Sequence, residues 1–380
     1  MYKSIINFIQ NLYNTKEYIP LHAPVFIGNE KKYLEECIHS SYVSSVGSFV
    51  DTFERMIEDY TGTQKAVVCV NGTNALYLAL HICGVKQEHE VLTQAFTFIA
   101  TCNAIAYTGA QPVFIDIDAD TLGMSPTALR KWLETHTHMV KGACVNTSTG
   151  KIIKACVPIH TFGHPVKIDQ IIQICNEFCI DVIEDAAESL GSFYKNKHTG
   201  TFGKIGILSF NGNKTITTGG GGMLLCNDAD IGVIAKHLST QAKVPHAWEF
   251  THDAIGFNYR MPNINAALGC AQMENLAMYI ANKRETAHAY KTFFETIPDI
   301  TFFSEPNDCK SNYWLHAILF ANATYQKEFL EYSNKNGVMT RPAWTLMNRL
   351  PMFAHCQTDG LSVSNDIEKR LVNIPSSVRL

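Results

Sequence analysis

Nowhere do the 380 residues hold an unbroken apolar run of the length a membrane-spanning helix needs. Positive charge is not in excess: 31 Lys and Arg stand against 35 Asp and Glu, for a net charge of -4, so the electrostatic footprint of a nucleic-acid binder is missing. There are 12 cysteines, but no two form a Cys-x-x-Cys pair, which removes the usual spacing of zinc ribbons and thiol-redox motifs. Cys175 and Cys179 stand at helical i, i+4 spacing without further ligands, while Cys69, Cys83, Cys156, Cys226 and Cys270 lie among apolar neighbours. Reduced, buried thiols are the expectation. The pairs His136/His138 and His160/His164 lack acidic or thiol partners at metal spacing, so no metal is expected. Internal repeats and low-complexity stretches are absent apart from four consecutive glycines, Gly219 to Gly222. The opening residues read as a short amphipathic helix without a secretory cleavage pattern, and a cytoplasmic location is expected.

What is present is an ordinary globular composition, 46% hydrophobic and 17% charged, in a chain long enough for a large and a small domain. Apolar strand-like runs at Ala66–Val70, Pro112–Asp116, Ala155–His160 and Cys179–Asp185 alternate with helical patterns such as those ending near Ile82, Tyr107 and Phe178. That alternation predicts an α/β fold with a mostly parallel central sheet flanked by helices. The pattern changes past Asn227, and one long helix is read from Ile264 to Tyr279. The expected organisation is an N-terminal arm over 1–28, a large domain over 29–255 and a small C-terminal α+β domain over 256–380.

Ligands of such sheets lie at the carboxyl ends of the strands, and several chemistry-bearing residues fall there. The strand Ala66–Val70 runs straight into Asn71-Gly-Thr-Asn-Ala-Leu76. A small-residue turn opening a helix gathers free N–H groups around an anion, so Gly72, Thr73 and Asn74 read as a phosphate cup, or as a plain N-cap. Phe98 follows another strand and can stack on a ring or pack in the core. Asp185 ends a third strand, where it can protonate a heterocyclic nitrogen or cap a helix. Ser209 and Lys214 precede the glycines; the lysine is either a solvated turn residue or an amine held against a flat cofactor. Taken together, these are the parts a pyridoxal 5′-phosphate site needs: phosphate grip, ring stack, pyridinium partner and Schiff-base lysine.

With those residues assembled, the chain resembles the sugar-nucleotide aminotransferases, a branch of the aspartate-aminotransferase-like (fold type I) pyridoxal phosphate enzymes. The matching stretches are Ser44-Ser-Val-Gly-x-x-Val-x-x-Phe-Glu54, Asn71-Gly-Thr-Asn-Ala-Leu76, Thr97-Phe-Ile-Ala-Thr101, Glu184-Asp-Ala-Ala-Glu188, Ser209-Phe-Asn-Gly-Asn-Lys214 and Gly256-Phe-Asn-Tyr-Arg-Met261. They occur in the right order across most of the chain. Phe26-Ile-Gly-Asn-Glu30 and Val43-Ser-Ser-Val-Gly47 look most like the subgroup that aminates UDP-2-acetamido-2,6-dideoxy-4-hexuloses for bacillosamine- or legionaminic-acid-type surface glycans.

The resemblance implies a role for each residue. Lys214 would be the Schiff-base lysine and proton carrier, Asp185 the partner of the pyridine nitrogen and Phe98 the stacking ring. Gly72, Thr73, Asn74 and Ser209 would hold the phosphate. Asn258 would reach it from a neighbouring subunit, so a homodimer with shared sites is expected. Arg260 would face the nucleotide diphosphate or else form a structural ion pair, and Ser45 and His316 would face the sugar or uracil. Glu188 would contact the cofactor's 3′ oxygen, but it stands where many relatives carry His or Gln, and an acid there must be protonated or hydrogen-bonded. L-Glutamate would donate the amino group and leave as 2-oxoglutarate, and the 4-keto carbon of a UDP-linked sugar would receive it. A 3-keto-sugar aminotransferase of the same family is the near alternative. A pyridoxamine-dependent sugar dehydratase, whose type carries histidine in place of the lysine, is opposed by Lys214. A non-catalytic, cofactor-binding regulator is opposed by the intact set from Thr73 to Lys214.

Overall fold

A computed structural model describes residues 1–380. Its main sheet runs, edge to edge, Lys65–Cys69, Gly222–Cys226, Ile205–Ser209, Asp181–Asp185, Ile152–Val157, His89–Gln94 and Gln111–Ile115. Ile205–Ser209 and the strands beyond it toward Gln111–Ile115 are parallel to one another, and Gly222–Cys226 is antiparallel to both of its neighbours. The parallel strands are apolar along nearly their whole length because helices cover both faces. The helices Gly72–Ile82 and Ile99–Tyr107 close one face with Leu76, Leu78, Leu80 and Ile105. The helices Ser48–Thr61 and Asn263–Glu274 close the other with Phe53, Ile57 and Cys270.

Local chemistry sets the helix starts. The Asn71 side chain accepts from the Asn74 N–H, Ser125 from the Ala128 N–H ahead of Pro126, and Asn322 from the Tyr325 N–H. The smaller domain is an antiparallel sheet in the order Ile300–Phe302, His316–Phe320, Leu371–Ile374, Arg341–Pro342, backed by helices Leu276–Phe294 and Ala323–Lys335.

Two boundaries differ from those read in the sequence. The helix expected from Ile264 to Tyr279 breaks at Asn275. Its first half packs on the helices Glu30–Ser40 and Ser48–Thr61, where the Phe53 ring lies 2.7 Å from where a Cβ on Gly269 would stand. The packing thus keeps residues 263–274 with the large domain. At the other end, the helix Tyr2–Leu12 is not a free arm. It buries Ile5, Ile6 and Ile9 against the smaller domain, and Phe8 stacks on Phe293 at 3.9 Å.

Candidate active site

The reversed strand explains why the glycines reach the site. Because Gly222–Cys226 runs against its neighbours, its first residue lies beside the last residues of theirs, Cys69 and Ser209. A Cβ on Gly222 would come within 2.4 Å of the Asn71 carbonyl, so this residue must be glycine for the turn to pack there. The glycine run is therefore partly structural: Gly220 and Gly221 face a cavity of about 280 Å³, while Gly222 seals the turn behind it. Gly72, Thr73, Phe98, Asp185, Ser209 and Lys214 all line that cavity.

At one end is the start of the helix Gly72–Ile82. The cap from Asn71 uses the Asn74 N–H, which leaves the N–H groups of Gly72 and Thr73 without an intrahelical partner. Asn74 lies beside the cavity wall but is not part of it. A Cβ on Gly72 would stand 3.0 Å from the Ser209 Cβ, so the glycine lets the helix end and the serine hydroxyl approach one another.

In the middle is Asp185, 8% exposed. Its Oδ2 accepts from the Thr101 hydroxyl at 2.8 Å and its Oδ1 from the Ala187 N–H at 3.2 Å. The adjacent Glu184 points the other way, into the protein. It accepts from the N–H groups of Gly200, Phe202 and Gly203 and from His160 Nε2 at 3.0 Å, while His160 Nδ1 accepts from Val166 N–H. Burial would raise this carboxyl; His160 and the N–H donors outweigh it and hold the group below its ordinary range. His160, read in the sequence as the end of a strand and not as a metal ligand, thus anchors the strand that presents Asp185. Phe98, 52% exposed, stands at the start of the helix Ile99–Tyr107 with its ring free to cover a ligand face.

Lys214, 14% exposed, completes the wall. Its Nζ lies 3.6 Å from Glu188 Oε1 and 3.9 Å from the centre of the Trp314 ring. Trp314 is tied to the lysine's own turn, donating from Nε1 to the Asn213 carbonyl at 2.6 Å. Behind it, the fully buried Lys283 donates to the carbonyls of Trp314 and Ser376, and burial pushes its amine down to about 7. Burial also raises the Glu188 carboxyl to about 7, against a lowering by Lys214 and by the Phe162 N–H. Trp314 and Thr101 were not singled out in the sequence. An aromatic two residues before a strand, and a threonine one turn past Phe98, are the only signals for them, and both patterns are common.

Six candidates do not line this cavity in the single chain: Asn74 and Glu188 stand just behind its wall, and four lie away from it. Asn258 and Arg260 are exposed on their loop, where Arg260 Nε donates to Asn258 Oδ1 at 3.3 Å. Ser45 lies in the exposed loop before the helix Ser48–Thr61. The reading of His316 as a sugar or uracil contact is corrected: its ring is fully buried in the small domain between Tyr290 and Tyr313. It lies on an inward-facing position of a strand, which its isolated sequence neighbourhood did not reveal.

Unpartnered N–H groups beside a hydroxyl, an exposed aromatic face, a buried carboxylate and a lysine amine fit the phosphate, ring, ring nitrogen and aldehyde of pyridoxal phosphate. Comparison with known proteins agrees. The DegT/DnrJ/EryC1/StrS aminotransferase family pattern matches residues 26–380. EpsN of Bacillus subtilis (strain 168) is 37% identical, over 94% of this chain and 90% of its own length. A GDP-perosamine synthase of Escherichia coli O157:H7 is 36% identical, over 95% of this chain and 93% of its own. In fold, the chain is similar to PseC of Helicobacter pylori, an aminotransferase involved in the biosynthesis of pseudoaminic acid. The TM-score is 0.85 at 24% identity, covering 94% of each chain.

Proposed function

Because the chain belongs to the DegT/DnrJ/EryC1/StrS family of pyridoxal phosphate-dependent sugar aminotransferases, we propose that it aminates a nucleotide-linked 4-keto-6-deoxy sugar, with L-glutamate as donor. The observation that carries this reading is the convergence of Lys214, Asp185, Ser209 and the Gly72–Thr73 helix start on one cavity at the strand ends.

Bound there, pyridoxal phosphate supplies a carbon that bonds to amines and a ring that accepts the electron pair left when a substrate carbon loses its proton. The protein's own groups do the rest. The N–H groups of Gly72 and Thr73 and the Ser209 hydroxyl hold the phosphate dianion at the positive helix end. Asp185, fixed by Thr101 and the Ala187 N–H, keeps a proton on the ring nitrogen. Phe98 covers one ring face and excludes water from it. Lys214 Nζ carries the proton between carbons.

The likeness of the N-terminal arm to enzymes of UDP-linked acetamido sugars supports a UDP-2-acetamido-2,6-dideoxy-4-hexulose. Relatives named GDP-perosamine synthase, at 36% and 33% identity, support a second reading in which the sugar is GDP-linked. In either case the product is an amino sugar nucleotide for surface polysaccharide. A homodimer is part of the proposal: Asn258 stands outside its own chain's cavity, and Tyr42, Val46, Trp248 and Ile255 are exposed apolar side chains of the single chain. Supplying UDP- and GDP-linked 4-keto-6-deoxy sugars with L-glutamate, and measuring 2-oxoglutarate and amino sugar, tests the reading. Turnover of one nucleotide class selects it, and release of 2-oxoglutarate without sugar amination rejects the 4-keto assignment.

A further inference from the structure

Beyond the contact with the cofactor's 3′ oxygen that the resemblance implies, the reaction as described gives Glu188 no part in moving a proton. Its carboxylate is 6% exposed, and only one oxygen is occupied: Oε2 accepts from the Phe162 N–H at 2.8 Å. Phe162 has a left-handed backbone, φ 56°, in the short turn Thr161–Gly163. Oε1 is turned to Lys214 Nζ, which also stands 3.9 Å from the centre of the Trp314 ring. At 3.6 Å this is an ion-pair contact rather than a hydrogen bond. The carboxylate that lines the cavity, Asp185, has both oxygens engaged by Thr101 and Ala187. Glu188 is thus the acid that faces the amine.

An ordinary lysine amine is protonated at neutral pH, and a protonated amine cannot take a proton from carbon. We propose that Glu188 is the proton partner of Lys214, receiving the ammonium proton before the amine acts and returning it afterwards. The proposal rests on the aminotransferase reading above. In the step, the Glu188 carboxylate accepts one proton from the Lys214 ammonium, giving a neutral carboxyl and a neutral amine. The amine's lone pair then takes the proton from the substrate carbon and delivers it to its new carbon, after which the carboxyl gives its own proton back to Nζ. Protons and charge balance, and no further reactant is needed. Burial raises the Glu188 carboxyl to about 7, with Asp185 adding to the rise, which places it where it exchanges a proton near neutrality. Against both a histidine and a glutamine at this place, a carboxylate adds an acceptor of negative charge.

The test is Glu188→Gln in the holoenzyme, whose amide oxygen still accepts from the Phe162 N–H. Two readouts are taken: the pH titration of the visible band of the resting holoenzyme, and the pH dependence of the L-glutamate half-reaction followed by loss of that band. Expected is a neutral-pH inflection of the half-reaction in the wild type that disappears in Glu188→Gln, with a rate about 10²-fold lower. The midpoint of the resting titration is expected to move as well, and Glu188→Asp to restore part of the inflection. A Glu188→Gln enzyme with the wild-type midpoint and inflection would overturn the proposal and leave Glu188 a support for the Phe162 turn. A wild-type protein with no visible band in excess pyridoxal phosphate would sink the aminotransferase reading instead.

Discussion

Replacing Lys283 with methionine probes how the small domain is built under the site. The side chain is fully buried, its Nζ donates to the carbonyls of Trp314 and Ser376, and no carboxylate faces it. The neighbouring imidazoles of His22 and His316 are themselves held well below their usual range by burial and by Lys283. Burial lowers the Lys283 amine from 10.5 to about 7, so the unfolded chain binds a proton that the folded one refuses between those values. Stability from this group is therefore greatest above pH 10.5 and falls as the pH drops through 7, a total on the order of 5 kcal/mol. Lys283→Met removes that dependence while keeping the volume of the stem. Between pH 6 and pH 9 the wild type should gain about 3 kcal/mol relative to Lys283→Met. Urea unfolding of both proteins at each pH reads this as a changing gap between midpoints. A gap that stays constant within about 0.5 kcal/mol would refute the reasoning, because Lys283 would then hold its proton in the fold.

Lys214→Ala should abolish the visible band and lower amination more than about 10³-fold, read by absorbance and by product formation. Asp185→Asn should keep the band and lower the rate roughly 10²- to 10³-fold, since the ring nitrogen loses its charged partner. Phe98→Ala should weaken cofactor binding by about tenfold, the worth of one aromatic stack, read by fluorescence titration. Glu184→Gln should destabilise the protein by about 2–4 kcal/mol at pH 7, because a buried acceptor of several donors loses its charge. The wild-type advantage over Glu184→Gln should begin to shrink as the pH falls below the ordinary glutamate range and go on shrinking through the lowered value of that carboxyl, read by thermal melts from pH 7 to about pH 3.

Much of the site could be read from the chain because its residues are local to strand ends. Asp185 and Ser209 terminate apolar runs, and the Gly72 turn follows one directly, so period and breakers alone place them together. Phosphate binding by Asn74 was less legible, since whether its N–H is free depends on which way the Asn71 side chain turns. Trp314 was hidden because its contact with Lys214 spans a hundred residues and two domains. His316 misled for the same reason: a histidine before Ala317 and Ile318 gives no sign of which strand face it occupies. The break at Asn275 carries no proline or glycine, and only packing shows that residues 263–274 sit on Phe53 while the next helix runs on from the same core into the small domain. The hairpin Thr137–Val140 with Ala143–Asn146 was missed because its exposed residues lack alternation.

The turn that carries Lys214 leaves the sheet at Ser209 and returns at Gly222, two residues paired side by side, so both of its feet stand on one spot. Its middle is held by the other domain: Trp314 grips the Asn213 carbonyl, and the Asn312 amide reaches Thr215 Oγ1 at 3.1 Å and the carbonyls of Glu188 and Leu190. The turn behaves as a lever with a fixed fulcrum and a load at its tip. Asp185, Ser209 and the Gly72 helix start belong wholly to the sheet and have no such tether. Any tilt of the small domain is therefore spent at the Lys214 amine and at Glu188, while the bed for ring and phosphate keeps still.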